Sequence, residues 1–345
     1  MISNDYVNEL SRLQHIGPVE VPHLRDVRMI IKDRLDAHTY DPYTLKDLEQ
    51  LGDDPVLSGD LSVLRSGTDP VGIPEMNYPG IHVDSKITHQ LGRHVRFLRI
   101  YKDGYEKADK ALIYIHGGAY YGGSAEDSLI PLRLLATKFE GVIYSIDYGL
   151  CPEHPYPYGL LDCLAVISRV AKERHHITLA GDSAGASMAL GVSQMAYHMG
   201  ICNVEQQLLF YPTVVHGSDL DGPMWDDKRI SIIPDQRHVL HSSYLLFKQL
   251  DRTMTKFYIE DENIDITSPI ISPLYADPTL FKKVVILTGE YDPFRLQDEA
   301  FAEEVGTAGG DVTFIRYGGM GHAFLNLVGK AAASEDAIYE CAKYL

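Results

Sequence analysis

No stretch of this chain approaches the run of about 18 apolar residues that a membrane-spanning helix requires. Basic residues are also scarce: 31 Lys and Arg stand against 48 Asp and Glu, a formal net charge of −17. That sign repels nucleic acid and anionic membrane surfaces, so neither is expected as a partner. Cysteine is limited to Cys151, Cys163, Cys202 and Cys341, without C-x-x-C spacing. Such scatter suits reduced thiols better than a disulfide framework or a thiolate metal site. The opening "MISNDYVNELSRLQ" has no basic start followed by an apolar core, so a chain without a secretory signal, in the cytoplasm, is expected. Repeats and low-complexity tracts are missing too. What remains, 45% hydrophobic and 23% charged over 345 residues, is the composition of a globular protein.

From about residue 81 onward, strand-like and helix-like runs alternate. The strand-like runs are 95–101, 111–118, 141–148, 177–183, 207–212, 284–292 and 311–319. Between several of them lie amphipathic stretches such as "GLLDCLAVISRVAKERH" (159–175). Buried strands alternating with helices predict an α/β fold, a mostly parallel sheet covered on both faces. Two regions break the rhythm. Residues 1–60 read as helical, notably "VRMIIKDRLDAH" (27–38), and residues 213–270 hold the lone Trp225 and a helical run, "SYLLFKQL" (243–250). An insertion that long reads as a cap, so one domain spanning 1–345, roofed by 1–60 and 213–270, is expected. An open sheet also leaves an edge, and two copies could pair through its last strand.

Reactive groups in such sheets lie beyond the carboxyl ends of the strands. Ser183 stands there in "TLAGDSAGAS", flanked by Gly181 and Gly185 on a sharp strand-to-helix turn. Asp292 follows "VVILTGEY", and His322 follows "DVTFIRYGGMG". A serine hydroxyl is a poor nucleophile until an imidazole takes its proton and a carboxylate fixes the imidazole tautomer, so the three types together point to acyl transfer. "YIHGGAYYGG" (114–123) adds a glycine-rich loop after a buried strand. Backbone N–H groups of Gly118, Ala119 and Ala184 are the expected oxyanion donors, with Gly117 shaping the turn. Glu290 rivals Asp292 as the acid, and His154 is a remote alternative base. Tyr120, Tyr121 and Asp182 are candidate pocket residues. Simple packing is the alternative for the tyrosines, and support of the turn for Asp182. The scattered histidines, including His175 and His176, lack metal-ligand spacing.

"HGGAYYGG", "DYGLCPEHPYP", "GDSAG", "EYDPFR" and "GHAF" together resemble the hormone-sensitive-lipase family of α/β-hydrolases, which includes bacterial carboxylesterases. The resemblance covers about residues 80–345. It implies an α/β-hydrolase fold and ester hydrolysis through an acyl-enzyme on Ser183, with His322 as base and Asp292 as acid. The oxyanion loop would be His116 to Ala119, with no metal or organic cofactor. By analogy with the family, short acyl chains, from acetyl to about six carbons, are expected. The same residues would serve deacetylation of a sugar or other metabolite, and a non-catalytic binder on this scaffold is the reading from another class. Two departures stand out. Ala119 replaces a third glycine, and Gly149 replaces an arginine before "LCPEH", which removes the expected ion-pair partner of Glu153.

Overall fold

The computed structural model describes residues 3–33, 37–68, 76–217 and 219–345. Its ten strands are β1 (Val19–Glu20), β2 (Arg28–Lys32), β3 (Ile81–Thr88), β4 (Val95–Lys102) and β5 (Lys110–Ile115), then β6 (Val142–Asp147), β7 (His176–Asp182), β8 (Gln206–Phe210), β9 (Lys283–Gly289) and β10 (Asp311–Tyr317). They form one sheet in the order β1-β2-β10-β9-β8-β7-β5-β6-β4-β3. Pairing is parallel from β2 through to β6, and antiparallel only where β1, β4 and β3 join. The central strands are buried along almost their whole length, as in "ALIYI" of β5. Such runs need cover on both faces.

That cover comes from nine α-helices of the described residues: α1 (Asn4–His15), α2 (Pro42–Leu48), α3 (Leu61–Ser66), α4 (Leu129–Ala136), α5 (Tyr158–Val170), α6 (Ala184–His198), α7 (Arg237–Tyr258), α8 (Arg295–Thr307) and α9 (Ala332–Cys341). Two buried clusters occupy opposite faces of the sheet; alternate residues of β5, Ile113 and Ile115 against Leu112 and Tyr114, divide between them. All four cysteines are free. No helix among the described residues is long and apolar enough to cross a membrane.

The structure corrects the N-terminal reading. "VRMIIKDRLDAH" is not a helix: Arg28–Lys32 is β2, parallel to β10 with Ile30 opposite Ile315. Residues 34–36 of the expected helix lie outside the described residues. Met29, Ile30, Ile31 and Lys32 are all buried, and burial of consecutive residues suits a strand covered on both faces better than one helical stripe. Lys32 is held by Asp336 at 3.0 Å and Glu340 at 3.8 Å, both on α9. A second correction follows. The last strand is no edge, because β2 and then β1 lie beyond it, so pairing of two copies through an exposed β10 loses its basis.

The helix expected at 243–250 is the middle of the 22-residue α7. Except for 95–101, which stops one residue short of Lys102, the expected strand ends overshoot by one to three residues. The 111–118 run stops at Ile115, which leaves His116 onward as loop, and 284–292 stops at Gly289. Apolar and glycine-rich loops continue each strand's pattern, and only hydrogen-bond pairing marks where the ladder stops.

Candidate active site

Four loops at the carboxyl ends of β5, β7, β9 and β10 meet above the sheet. Ser183 directly follows β7 and caps α6 with φ 51° and ψ −124°, a conformation a non-glycine residue adopts only when its surroundings enforce it. They do so through glycine. A Cβ on Gly185 would drive into the Ile115 and His116 carbonyls, and one on Gly181 would lie 2.6 Å from the Gly185 backbone. The two glycines let α6 start against β5 and leave the serine side chain pointing off the turn.

The β9 and β10 loops are stitched together by Glu290 N–H to the Tyr317 carbonyl and Tyr291 N–H to the Met320 carbonyl, each 2.9 Å. This brings Asp292 and His322 into contact. Asp292 is fully buried; its Oδ1 accepts from Phe294 N–H at 2.9 Å and its Oδ2 lies 2.8 Å from His322 Nδ1. His322 Nε2 lies 2.9 Å from Ser183 Oγ. With the imidazole proton on Nδ1, the ring donates to Asp292 and accepts from the serine hydroxyl. Edge-on rings of Tyr211, Phe247 and Phe294, centroids 4.8 to 5.3 Å away, enclose the imidazole. Glu290, the rival acid, faces elsewhere: its Oε2 accepts from Gly319 N–H at 2.9 Å.

The backbone N–H groups of Gly118, Ala119 and Ala184 have no acceptor among the described residues. Gly117 differs, because its N–H donates to Asp182 Oδ1 at 2.8 Å, where the Tyr114 hydroxyl also donates at 2.7 Å. A Cβ on Gly117 would sit 2.5 Å from Asp182 Oδ2. Only glycine fits against that carboxylate. Burial pushes the Asp182 carboxyl up from its ordinary range, and these two donors oppose the shift. Burial likewise lowers His116, a ring stacked 4.3 Å from Tyr148 whose own carbonyl accepts from the Tyr148 hydroxyl. Ala119 at φ 51° and Tyr120 at φ 66° complete the turn.

Residues 112–326 match the model of a family with the α/β hydrolase fold. The chain belongs to that family. A carboxylesterase of Mycobacterium tuberculosis, NlhH, is 30% identical over 233 residues, 66% of this chain and 70% of the relative. An arylesterase of Saccharolobus solfataricus is 27% identical over 237 residues, 66% and 72% of the two chains. Among solved structures, a hyperthermophilic esterase from Pyrobaculum calidifontis superposes with a TM-score of 0.73 at 26% identity, covering 88% of this chain and 97% of the other.

In this α/β-hydrolase a cavity of about 560 Å³ opens over Ser183 and His322. Its upper wall is apolar: Leu51, Leu57 and Leu64 come from the N-terminal segment, and Leu246 and Leu250 from α7. Tyr121 and Asp182 line it, but Tyr120 does not. Two consecutive left-handed residues turn the Tyr120 ring away from the cavity, where it stacks 4.0 Å from Tyr258 and its hydroxyl meets His216 Nε2 at 2.7 Å. Burial holds that histidine down at about 4, so it stays neutral.

Gly149 also finds its explanation in the hydrolase. A Cβ there would lie 3.0 Å from three His154 atoms, leaving little room for an arginine. Arg65 of α3 supplies the ion pair instead. Its guanidinium meets Glu153 at 3.0 and 2.5 Å and donates to the Tyr121 carbonyl at 2.7 Å and the Cys151 carbonyl at 3.1 Å. Below, Asp162 takes the Gly149 N–H at 2.9 Å and Arg93 at 2.8 Å. Neither Arg65 nor Phe247 carries a local sequence signal, because each reaches the site only through tertiary packing.

Proposed function

We propose that this hydrolase cleaves short-acyl carboxylic esters through an acyl-enzyme on Ser183. The observation that carries the reading is the unbroken relay Asp292–His322–Ser183 at 2.8 and 2.9 Å, beside three backbone N–H groups without acceptors. Ser183 Oγ attacks the ester carbonyl carbon as its proton moves to His322 Nε2. Asp292 steadies the imidazolium that forms. The carbonyl oxygen becomes an oxyanion within reach of the Gly118, Ala119 and Ala184 N–H groups, each such donor typically contributing about 3 kcal/mol in the transition state. Collapse breaks the bond to the alcohol oxygen, which leaves with the proton held on Nε2. A water then gives its proton to the same nitrogen and attacks the acyl-enzyme, and Ser183 departs reprotonated. A cavity of about 560 Å³ with a leucine-rich wall supports an apolar acyl group of modest length.

Initial rates on p-nitrophenyl esters of increasing acyl length test the reading, with Ser183→Ala beside the wild type. The variant should lose at least about 10⁴-fold in kcat, and a fluorophosphonate should label the wild type alone. A wild type inert to every ester and unlabelled would leave a binding protein in its place.

A further inference from the structure

One aromatic ring joins the roof of the cavity to the catalytic base. Of the three rings around the His322 imidazole, two belong to the floor: Tyr211 directly follows β8, and Phe294 gives its N–H to Asp292. The third, Phe247, comes from α7, its centroid 5.0 Å from that of His322 and the two planes at 71°. Phe247 also meets Phe294 edge to face at 5.5 Å. The hydrogen bonds to Asp292 and Ser183 leave from the two ring nitrogens. They fix a line through the imidazole but not its tilt about that line, which close-packed neighbours must set. Leu246 and Leu250 of the same helix line the cavity with Ser183. Leu250 neighbours both Leu246 and Phe247 on the helix surface, four and three residues away, so the groups facing substrate and base are packed side by side. Hydrogen bonds tie down the ends of α7: Arg237 donates to the Asp227 and Ile230 carbonyls at 3.0 and 2.9 Å, and the Tyr258 carbonyl accepts from Tyr156 N–H at 2.8 Å. At its middle, Phe247 meets the base through ring packing.

Binding energy gained away from the reacting bond raises kcat only if it acts on the reacting groups. We propose that Phe247 is a positioning residue through which the acyl chain reaches the base: a chain long enough to cover Leu246 and Leu250 seats the middle of α7, and Phe247 passes that contact to the tilt of the His322 ring. The inference rests on ester hydrolysis at Ser183. An acetyl group has one methyl beyond its carbonyl and covers little of a leucine wall, whereas butyryl and hexanoyl groups cover more. Both halves of the reaction feel the difference, because His322 Nε2 takes a proton first from the serine and then from water. Acyl length then appears in kcat as well as in KM. A leucine wall that merely accommodated the chain would favour ground state and transition state alike and would show acyl length in KM alone.

The test holds the leaving group constant. Both kcat and KM are measured for p-nitrophenyl acetate, butyrate and hexanoate, each kcat being corrected for the ester's own hydroxide-catalysed rate and for active sites counted with a fluorophosphonate. In the wild type each buried methylene should raise kcat/KM about fourfold, and kcat itself should climb about tenfold from acetate to hexanoate. Phe247→Ala should flatten that climb and keep the KM trend, lowering kcat about twofold on the acetate and about twentyfold on the hexanoate. Phe247→Leu, which still fills the space beside the imidazole, should restore part of the climb. Leu250→Ala should weaken the climb and the KM trend together. A wild-type kcat that does not change with acyl length, or a Phe247→Ala loss equal on all three esters, overturns the coupling and leaves the hydrolase chemistry in place. A wild type that turns over none of the three removes the chemistry and the coupling with it.

Discussion

The floor and the roof of the cavity are held by different forces. Below the substrate space, Ser183, Asp182 and the 116–121 loop sit on strand ends, and hydrogen bonds hold the groups that position the reacting atoms, while the Gly118 and Ala119 N–H groups stay open. Asp182 joins Tyr114 to Gly117, Phe210 receives the Ser183 N–H, and Asp292 joins Phe294 to His322. Above it, residues 51–64 and α7 turn leucines to the cavity and are pinned to each other by the Gln249 side chain, which accepts from the Leu57 N–H at 3.0 Å and donates to the Pro55 carbonyl at 2.8 Å, while Arg65 straps the segment to the loops below. Hydrogen bonds fix direction and apolar contact does not. The difference teaches that positional accuracy belongs to the floor, while the roof sets what fits. One carboxylate in each shows the contrast. Asp182 is buried with two close donors; Asp251 on α7 is fully buried, and burial pushes it up to about 7 against weaker opposition from the Gly217 backbone and the Arg252 charge.

The largest expected effect falls on the floor. Asp182→Asn keeps the shape but weakens the hold on Gly117, so kcat should fall about a hundredfold with KM little changed, comparable to losing an oxyanion donor. Steady-state kinetics check it beside an unchanged melting temperature, and a loss confined to KM would break the comparison. Next comes the roof. Because Asp251 titrates near an ordinary carboxylate value when unfolded and about 7 when folded, its contribution is intact below pH 4. It drains away as pH rises to about 7, and then stays flat. Asp251→Asn removes that slope and should be more stable than the wild type at pH 8 by about 2 kcal/mol; urea titrations at pH 4, 6 and 8 read it directly. The smallest effect is on the strap. Arg65→Met should raise KM about fivefold with kcat nearly intact, because roof and loop both lean on one half-exposed guanidinium. A fall in kcat instead would show that Arg65 works for the floor, through the Tyr121 carbonyl.

The same division separates what could be read from the chain from what could not. The central strands were legible because burial on both faces leaves continuous apolar runs, and the positions of Ser183, Asp292 and His322 just beyond them follow from that. Gly117 was legible as a turn former but not as the partner of Asp182, 65 residues away. Tyr120 and Tyr121 are indistinguishable by composition; two positive φ angles send one under the loop and the other into the cavity.

By itself, then, the sequence determined the parallel core, the order of the serine, aspartate and histidine, and the two glycines that let the helix after Ser183 begin against β5. These depend on local periodicity and on the absence of a Cβ, both written residue by residue. Tertiary structure alone decided that "RMIIK" becomes a strand beside β10, that Arg65 stands in for the arginine missing at 149, and that Tyr121 lines the cavity while Tyr120 does not. A short apolar segment fits helix or strand equally well until a sheet edge is offered to it, and a long side chain acquires a partner only when the fold brings one within reach.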